Sequence, residues 1–261
     1  MEINAGSFEH RFGGIQRLYG KSEAEKLKNA HVCIIGVGGV GCWIAESVAR
    51  CGIGQITLID WDDVCLSNSN RQLHAMNGTV GKSKVDVMAQ RISLINPQCK
   101  VNPVREFFTK DNCDEILATK FDYVFDAIDG LSAKCLLING CKKRKIPIIV
   151  SGGAGGRINP AMIQIDDMSK SHGDPLLSKV RAKLRKEYNF PRNLKKKFKV
   201  PCAFSPEQPA YPQADGCVAN KKPEGNNMKL DCFSGFGTAT FITGTFGFLM
   251  AGYAVKDMLG K

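Results

Sequence analysis

The chain has no Cys-x-x-Cys pair, although eleven cysteines are spread over its 261 residues. Four-cysteine structural zinc sites are built from such closely spaced pairs, so a site of that kind is excluded and no zinc is expected. The cysteines fall inside apolar stretches, Cys33, Cys42 and Cys135 among them, as buried thiols of a reducing compartment do. A disulfide framework is therefore not expected. The start, Met1-Glu-Ile-Asn, carries no basic-then-apolar leader, so secretion is not indicated and a cytoplasmic location is expected. There is no internal repeat. Acid is short relative to base: the net charge is +11, which favours an anionic partner. Apolar residues make up 43%, an ordinary share, so the chain is long enough and apolar enough for one α/β core with an appended lobe.

What is present begins at His31. Val32 to Ile35 is an apolar run that reads as a buried strand. It breaks into a glycine turn carrying Gly36, Gly38, Gly39 and Gly41, and Val40, Trp43, Ile44, Val48 and Ala49 then recur at helical spacing. Without side chains, backbone N–H groups approach phosphate oxygens, and the helix N-terminus adds favourable partial charge. The motif points to a nucleotide, or to a tight structural turn, and does not say which nucleotide. A second strand over 55–59 stops at Asp60-Trp61-Asp62-Asp63. An acid about 20 residues past such glycines is where a ribose hydroxyl is held. Asp60 fits that place, with Asp62 beside it. Further strands are expected over 101–108, 121–129 and 146–150, with helices between them. The fold class is α/β, a Rossmann-like, doubly wound, mainly parallel sheet with helices on both faces.

The polar cluster Leu66-Ser-Asn68-Ser-Asn70-Arg71-Gln72 sits beside the expected pocket, and Gly81-Lys82-Ser-Lys84 opens a helix. Hydride transfer has little need of these cations, whereas cleavage between the α and β phosphates of a triphosphate builds charge on pyrophosphate. Arg71 and Lys84 therefore read as phosphate ligands, the alternative being solvated charges at helix ends. Asp129 closes the fourth expected strand, as a magnesium ligand or as the N-cap of the next helix. A second glycine cluster, Ser151 to Gly156 before Arg157, suggests another close approach of backbone to ligand.

Four segments are expected: a helical lead-in over 1–30, a nucleotide-binding core over 31–166, a basic insertion and crossover loop over 167–230, and a segment over 231–261 completing the core. Nine bases stand between 181 and 199 against one acid, Glu187: Arg181, Lys183, Arg185, Lys186, Arg192, Lys195, Lys196, Lys197 and Lys199. Ordinary charged faces mix signs, so this run favours a polyanion over plain solvation. Residues 233–255 carry no charge, yet hold five glycines and four threonines. A buried core segment is favoured over a membrane span.

Arg-Phe-Gly-Gly, Ile-Gly-Val-Gly-Gly-Val-Gly, Leu-Ile-Asp-Trp-Asp-Asp-Val, Ser-Asn-Arg-Gln, Gly-Lys-Ser-Lys and Asp-Ala-Ile-Asp occur here in one order and spacing. In them the chain resembles the ubiquitin-activating-enzyme-like adenylating proteins, which include the activators of molybdopterin and thiamine synthesis. Ser-Gly-Gly-Ala-Gly-Gly, the basic insertion, Tyr211-Pro-Gln-Ala-Asp-Gly216 and Asp231-Cys-Phe-Ser-Gly-Phe-Gly237 favour the branch that dehydrates threonylcarbamoyladenosine in tRNA. The resemblance implies an ATP- and magnesium-dependent homodimer that adenylates a carboxylate beside the anticodon and closes it to a ring. Asp60 would hold ribose, Arg71 and Lys84 phosphates, and Asp129 the metal and the activated carboxylate, with Asn68 near the α-phosphate. The alternative is an activator of a small sulfur-carrier protein, with a sulfur acceptor or cysteine desulfurase as partner. The position of the family's phosphate-reaching arginine is Gly14 here, so Arg11 or Arg17 is expected to substitute across the dimer. Cys232 is the candidate for a sulfur relay, or else a site-lining thiol.

Overall fold

The computed structural model describes residues 7–213, 215–221 and 236–261. Two helices, α1 (Phe8–Tyr19) and α2 (Lys21–Asn29), lead into β1 (His31–Ile35), α3 (Gly41–Arg50), β2 (Gln55–Ile59), α4 (Lys84–Ile95) and β3 (Lys100–Val104). There follow α5 (Cys113–Ile116), β4 (Tyr123–Asp126), α6 (Leu131–Arg144), β5 (Ile148–Ser151), β6 (Gln164–Asp167), α7 (Pro175–Glu187) and β7 (Pro201–Phe204). A small hairpin, β8 (Tyr211–Pro212) with β9 (Val218–Ala219), precedes α8 (Thr240–Leu259).

The strands are apolar on both sides and need cover on both faces. Along β1, Val32 and Ile34 enter one core with α3, α4 and α8, while Cys33 and Ile35 enter another with α6 and α7. The seven strands run in the order β3-β2-β1-β4-β5-β7-β6, all neighbours parallel except β6 and β7. The order reverses between β1 and β4, so the crevice at their carboxyl ends is where such sheets bind ligands.

The segment read as an insertion contributes to the sheet: β7 lies inside it, between β5 and β6. Pro201-Cys-Ala-Phe204 is too short an apolar run to announce a strand against its basic surroundings. β6, with the polar sequence Gln164-Ile-Asp-Asp167, is an edge strand whose exposure tolerates those side chains. The fourth strand stops at Asp126, and Asp129 stands in the loop beyond it.

The apolar C-terminal stretch is a core helix. Ile242, Phe246, Met250 and Ala254 of α8 are fully buried against α3 and the sheet. Among the described residues no helix is long and apolar enough to cross a membrane. The glycines of this stretch explain its composition. A Cβ on Gly247 would stand 2.6 Å from the Trp43 Cβ and 3.0 Å from the Val40 carbonyl, so α3 and α8 cross closely only because that atom is missing. Gly252 has nothing within 4 Å. Gly247→Val is therefore expected to lower unfolding stability by about 1–3 kcal/mol through overpacking. Gly252→Ala should instead raise it by about 0.5–1 kcal/mol through helix propensity. Urea unfolding of both variants checks the contrast.

Candidate active site

A cavity of about 710 Å³ opens at the carboxyl ends of the strands. Gly36, Gly38 and Gly39 line it, but the glycines differ in purpose. Gly36 has φ +88°, and a Cβ there would meet the Ala127 carbonyl oxygen at 2.7 Å. Gly41 is not in the cavity wall; a Cβ on it would fall 1.8 Å from the Gly36 oxygen. It is a packing glycine that lets α3 start against the turn, not a contact for a nucleotide. Gly38 and Gly39 leave their backbone open to the cavity, with only the Gln72 amide, the Arg71 stem and Thr243 nearby.

Asp60 ends β2 at the same mouth. One carboxylate oxygen accepts the Val37 N–H at 2.6 Å and the other the Asp62 N–H at 2.8 Å. Burial raises its pKa, against the lowering effect of those hydrogen bonds. A carboxylate has further lone pairs, so this anchored group can still accept from two vicinal hydroxyls. Phe107, Trp61 and Ile128 add apolar wall near it.

The cations are gathered beside the glycines. Lys84, first residue of α4 and only 5% exposed, pairs with Asp62 at 2.8 Å. Arg71 donates to the Ser67 carbonyl at 2.7 Å and to the Asn70 side chain at 3.0 Å. Its own carbonyl accepts from Trp43 Nε1 and from the Thr243 hydroxyl, both at 3.2 Å, so α3 and α8 both hold this loop. Asn68 is buried, with its side-chain oxygen taken by the Cys65 N–H. Asp129 lines the cavity exposed, with no hydrogen bond or ion pair among the described residues. Gly130, not Asp129, occupies the N-cap position of α6. Beneath it, Asp126 and Lys134 form a fully buried ion pair at 2.9 Å, and the same Asp126 oxygen accepts the Ile128 N–H at 3.0 Å. That pair ties the loop carrying Asp129 to α6. An exposed carboxylate without a partner among the described residues fits magnesium, which takes one or two carboxylates and completes its shell with phosphate and water. No cluster of three or more His, Cys, Asp or Glu groups suited to a metal occurs among the described residues.

Several expected residues are elsewhere. Arg11 reaches the Ile95 carbonyl at 3.5 Å, Arg17 lies over Gly13, and neither lines this chain's cavity. The α1 helix packs on α2, and its Phe8 and Phe12 lie against Gly52, just past the C-terminal end of α3. Cys232 lies outside the described residues. No described cysteine lines the cavity, and burial pushes the nearby Cys42 thiol up to about 12. The second glycine cluster lines the cavity through Gly152, Gly153 and Gly155 and also makes room for neighbours: a Cβ on Gly152 would stand 2.2 Å from an Asp174 oxygen, and one on Gly155 would stand 2.7 Å from Phe236.

The basic run divides. Arg181 donates to the Ser171 hydroxyl, Lys183 pairs with Glu187 at 3.5 Å, and Arg185 lies 5.0 Å from the Phe198 ring. Lys186, Arg192, Lys195, Lys196, Lys197 and Lys199 are exposed. Lys197 and Lys199 line a second cavity of about 670 Å³ with Lys142 and Lys145, where β5 and β7 begin. Two basic stretches distant in sequence thus share one surface, at the edge of the sheet opposite the first cavity. The α7 helix, about 20 Å long, joins the two edges.

A glycine turn, an anchored acid, two cations and an open carboxylate line one cavity, and the chain belongs to the ThiF family, whose model matches residues 14–261. It is 47% identical over 260 residues to the tRNA threonylcarbamoyladenosine dehydratase of Escherichia coli K12, covering 99% of this chain and 97% of that one. The structure of the E. coli dehydratase TcdA in complex with ATP superposes with a TM-score of 0.86 at 44% identity, covering 97% and 95% of the two chains. Similarity to the E. coli molybdopterin-synthase adenylyltransferase is 36% over 130 residues, half of each chain.

Sequence reasoning missed Gln72, Thr243 and Phe107 in the wall, and His74 behind it. Gln72 was visible in the polar cluster, while Thr243 reaches the site only because α8 folds back. His74 is fully buried, and neither ring nitrogen has a partner among the described residues. Burial, with the Lys84 charge adding to it, lowers its pKa from 6.5 to about 4. Between those values the unfolded chain takes up a proton that the folded chain refuses, so stability falls as pH drops through the window. The full loss is about 3 kcal/mol. Unfolding midpoints measured from pH 7 to pH 4 should show this decline, and His74→Leu should flatten it.

Proposed function

We propose that the chain uses ATP to adenylate the carboxylate of threonylcarbamoyladenosine in tRNA and then closes the modification to a ring, with net loss of water. The observation that carries this reading is the likeness to a dehydratase over 99% of the chain, basic region included. The alternative, activation of a sulfur-carrier protein, draws on a likeness to an adenylyltransferase over half the chain only.

A carboxylate is a poor electrophile until one oxygen becomes part of a good leaving group. The substrate carboxylate attacks the α-phosphorus of ATP, and the bond to the β-phosphate breaks. Arg71 and Lys84 meet the charge that develops on pyrophosphate. Lys84 arrives neutralised by Asp62, so phosphate binding redistributes an existing pair instead of uncovering a bare cation. Asp60 orients the ribose, and Asn68 stands toward the α-phosphate. Asp129 holds magnesium, which when bound shields the phosphate oxygens. A nucleophile within the modification then attacks the activated carbonyl, the ring closes and AMP leaves.

The exposed lysines and arginine beyond α7 contact the phosphate backbone of the same tRNA. A modified base in the first cavity and a stem lying along α7 satisfy both. A homodimer accounts for the exposed apolar stripe of α8: Phe241, Phe248, Leu249 and Tyr253 are between 37% and 54% exposed at helical spacing. In that assembly Arg11 or Arg17 reaches the partner's phosphates. A cytoplasmic location follows from the substrate. A sulfur acceptor or cysteine desulfurase would act through Cys232, outside the described residues.

Incubation of modified tRNA with ATP, followed by mass analysis of its nucleosides, should reveal loss of one water from the threonylcarbamoyl group. Asp129→Ala should abolish that product, and an unchanged nucleoside with the intact protein would sink the reading. Joint replacement of Lys195, Lys196 and Lys197 by Glu should weaken tRNA binding and flatten its salt dependence while sparing ATP affinity. Unchanged tRNA binding would reduce the run to a solvated surface.

A further inference from the structure

The cavity is longer than its triphosphate end. Beyond Asp129 it continues over β5 and β7, where its wall is made of Gly153, Asp174, Leu176, Pro209 and Arg157. Arg157 differs in kind from the cations at the other end. It is 3% exposed. One guanidinium nitrogen donates to the Gly173 carbonyl at 3.0 Å, while Nε and Nη1 are buried with no acceptor among the described residues. It takes part in none of the ion pairs found there.

Its two acidic neighbours are occupied. The Asp174 oxygens accept from the Gly153 and Leu177 N–H groups at 2.8 and 2.9 Å. The Glu207 carboxylate accepts from the Ile158 and Asn159 N–H groups. Both carboxylates serve backbone, so among the described residues the guanidinium charge is balanced only at a distance. A buried and incompletely matched cation is costly, and in a cavity wall it focuses positive potential into the space beside it. It lies on the β5–β7 side, where Ala210 N–H bonds the Gly156 carbonyl. Arg71 and Lys84 belong to the segment that follows β2, on the other side of β4 and β1 in the sheet order. Arg157 is therefore placed for a second anion.

We propose that Arg157 is the oxyanion-recognising residue of the acyl-substrate subsite, and that it selects the free carboxylate of the threonylcarbamoyl group. This rests on the function proposed above. The role is matched to the reaction's change of charge. The entering carboxylate is an anion and is attracted to Arg157. Once joined to the α-phosphorus the acyl group has lost that charge, the attraction ends, and the acyl group is free to turn toward its internal nucleophile.

The test measures binding of the nucleoside threonylcarbamoyladenosine and of its methyl ester to the full chain, in the presence of α,β-methylene ATP. The intact protein should prefer the acid to the ester by about tenfold or more, the scale of one charge-assisted hydrogen bond. In Arg157→Gln that preference should fall toward one with ester affinity retained, and Arg157→Lys should keep part of it. Binding of the ATP analogue and the melting temperature report folding, and Arg157→Lys carries the test where the Gln variant does not fold. A preference unchanged in both variants overturns the assignment. Equal loss of acid and ester binding would mean a structural role and also overturns it. Binding of neither nucleoside form by the intact protein, with the ATP analogue still bound, would overturn the substrate reading itself, and this assignment with it.

Discussion

The turn at 36–41 closes so tightly that a single added carbon would break it. A Cβ on Gly41 would overlap the Gly36 oxygen, and one on Gly36 would overlap the Ala127 carbonyl. This contact seats the start of α3 against the end of β1 and presses both on the loop after β4. The Val37 N–H then faces the Asp60 carboxylate, and Trp43 on α3 reaches the Arg71 carbonyl. Asp60, Arg71 and the loop of Asp129 are thus referred to one turn. The energy of the arrangement comes from burial on both faces of the sheet, while the turn sets where its polar groups stand.

Charge within the site is distributed in a graded way. Lys84 is paired with a half-exposed carboxylate and can change partners. Lys134 is paired with Asp126 in full burial and cannot, because separating such a pair leaves an uncompensated charge inside the protein. The first belongs to binding chemistry and the second to the frame beneath it. Arg157 is a third case, a buried cation without a carboxylate of its own among the described residues. That gradation follows from depth and partner together, since Lys84 and Arg157 are nearly equally buried and differ in whether a described carboxylate meets them.

Much of the fold was legible. The first five strands and their helices announced themselves by apolar runs, glycine turns and helical spacing, because each element carries its own periodicity. That Asp60, Asn68, Arg71, Lys84 and Asp129 line one cavity was legible because their spacing follows those elements. What was not legible had no local signal. β7 is four residues inside a basic stretch, and Thr243 enters the site from far along the chain. The glycines of 152–156 read as a close approach to ligand; Gly152, Gly153 and Gly155 do line the cavity, and the cluster also makes room for Asp174 and Phe236, which no local pattern announces. Gly41 looked like a phosphate contact and is a packing contact, since a glycine motif reports missing side chains without saying what fills the space.

The sequence by itself determined the class of sheet, its nucleotide end and the excess of positive charge, since periodicity, spacing and composition are properties of the chain read in one dimension. Only the tertiary structure decided which groups share a neighbourhood. It folded α8 into the core, split the basic run into pinned and exposed members, and joined Lys142 and Lys145 to Lys197 and Lys199 across one surface. It also buried Arg157 without a paired carboxylate among the described residues. Burial and partnership depend on what other segments bring, and a side chain's charge has no fixed meaning until its depth and neighbours are set.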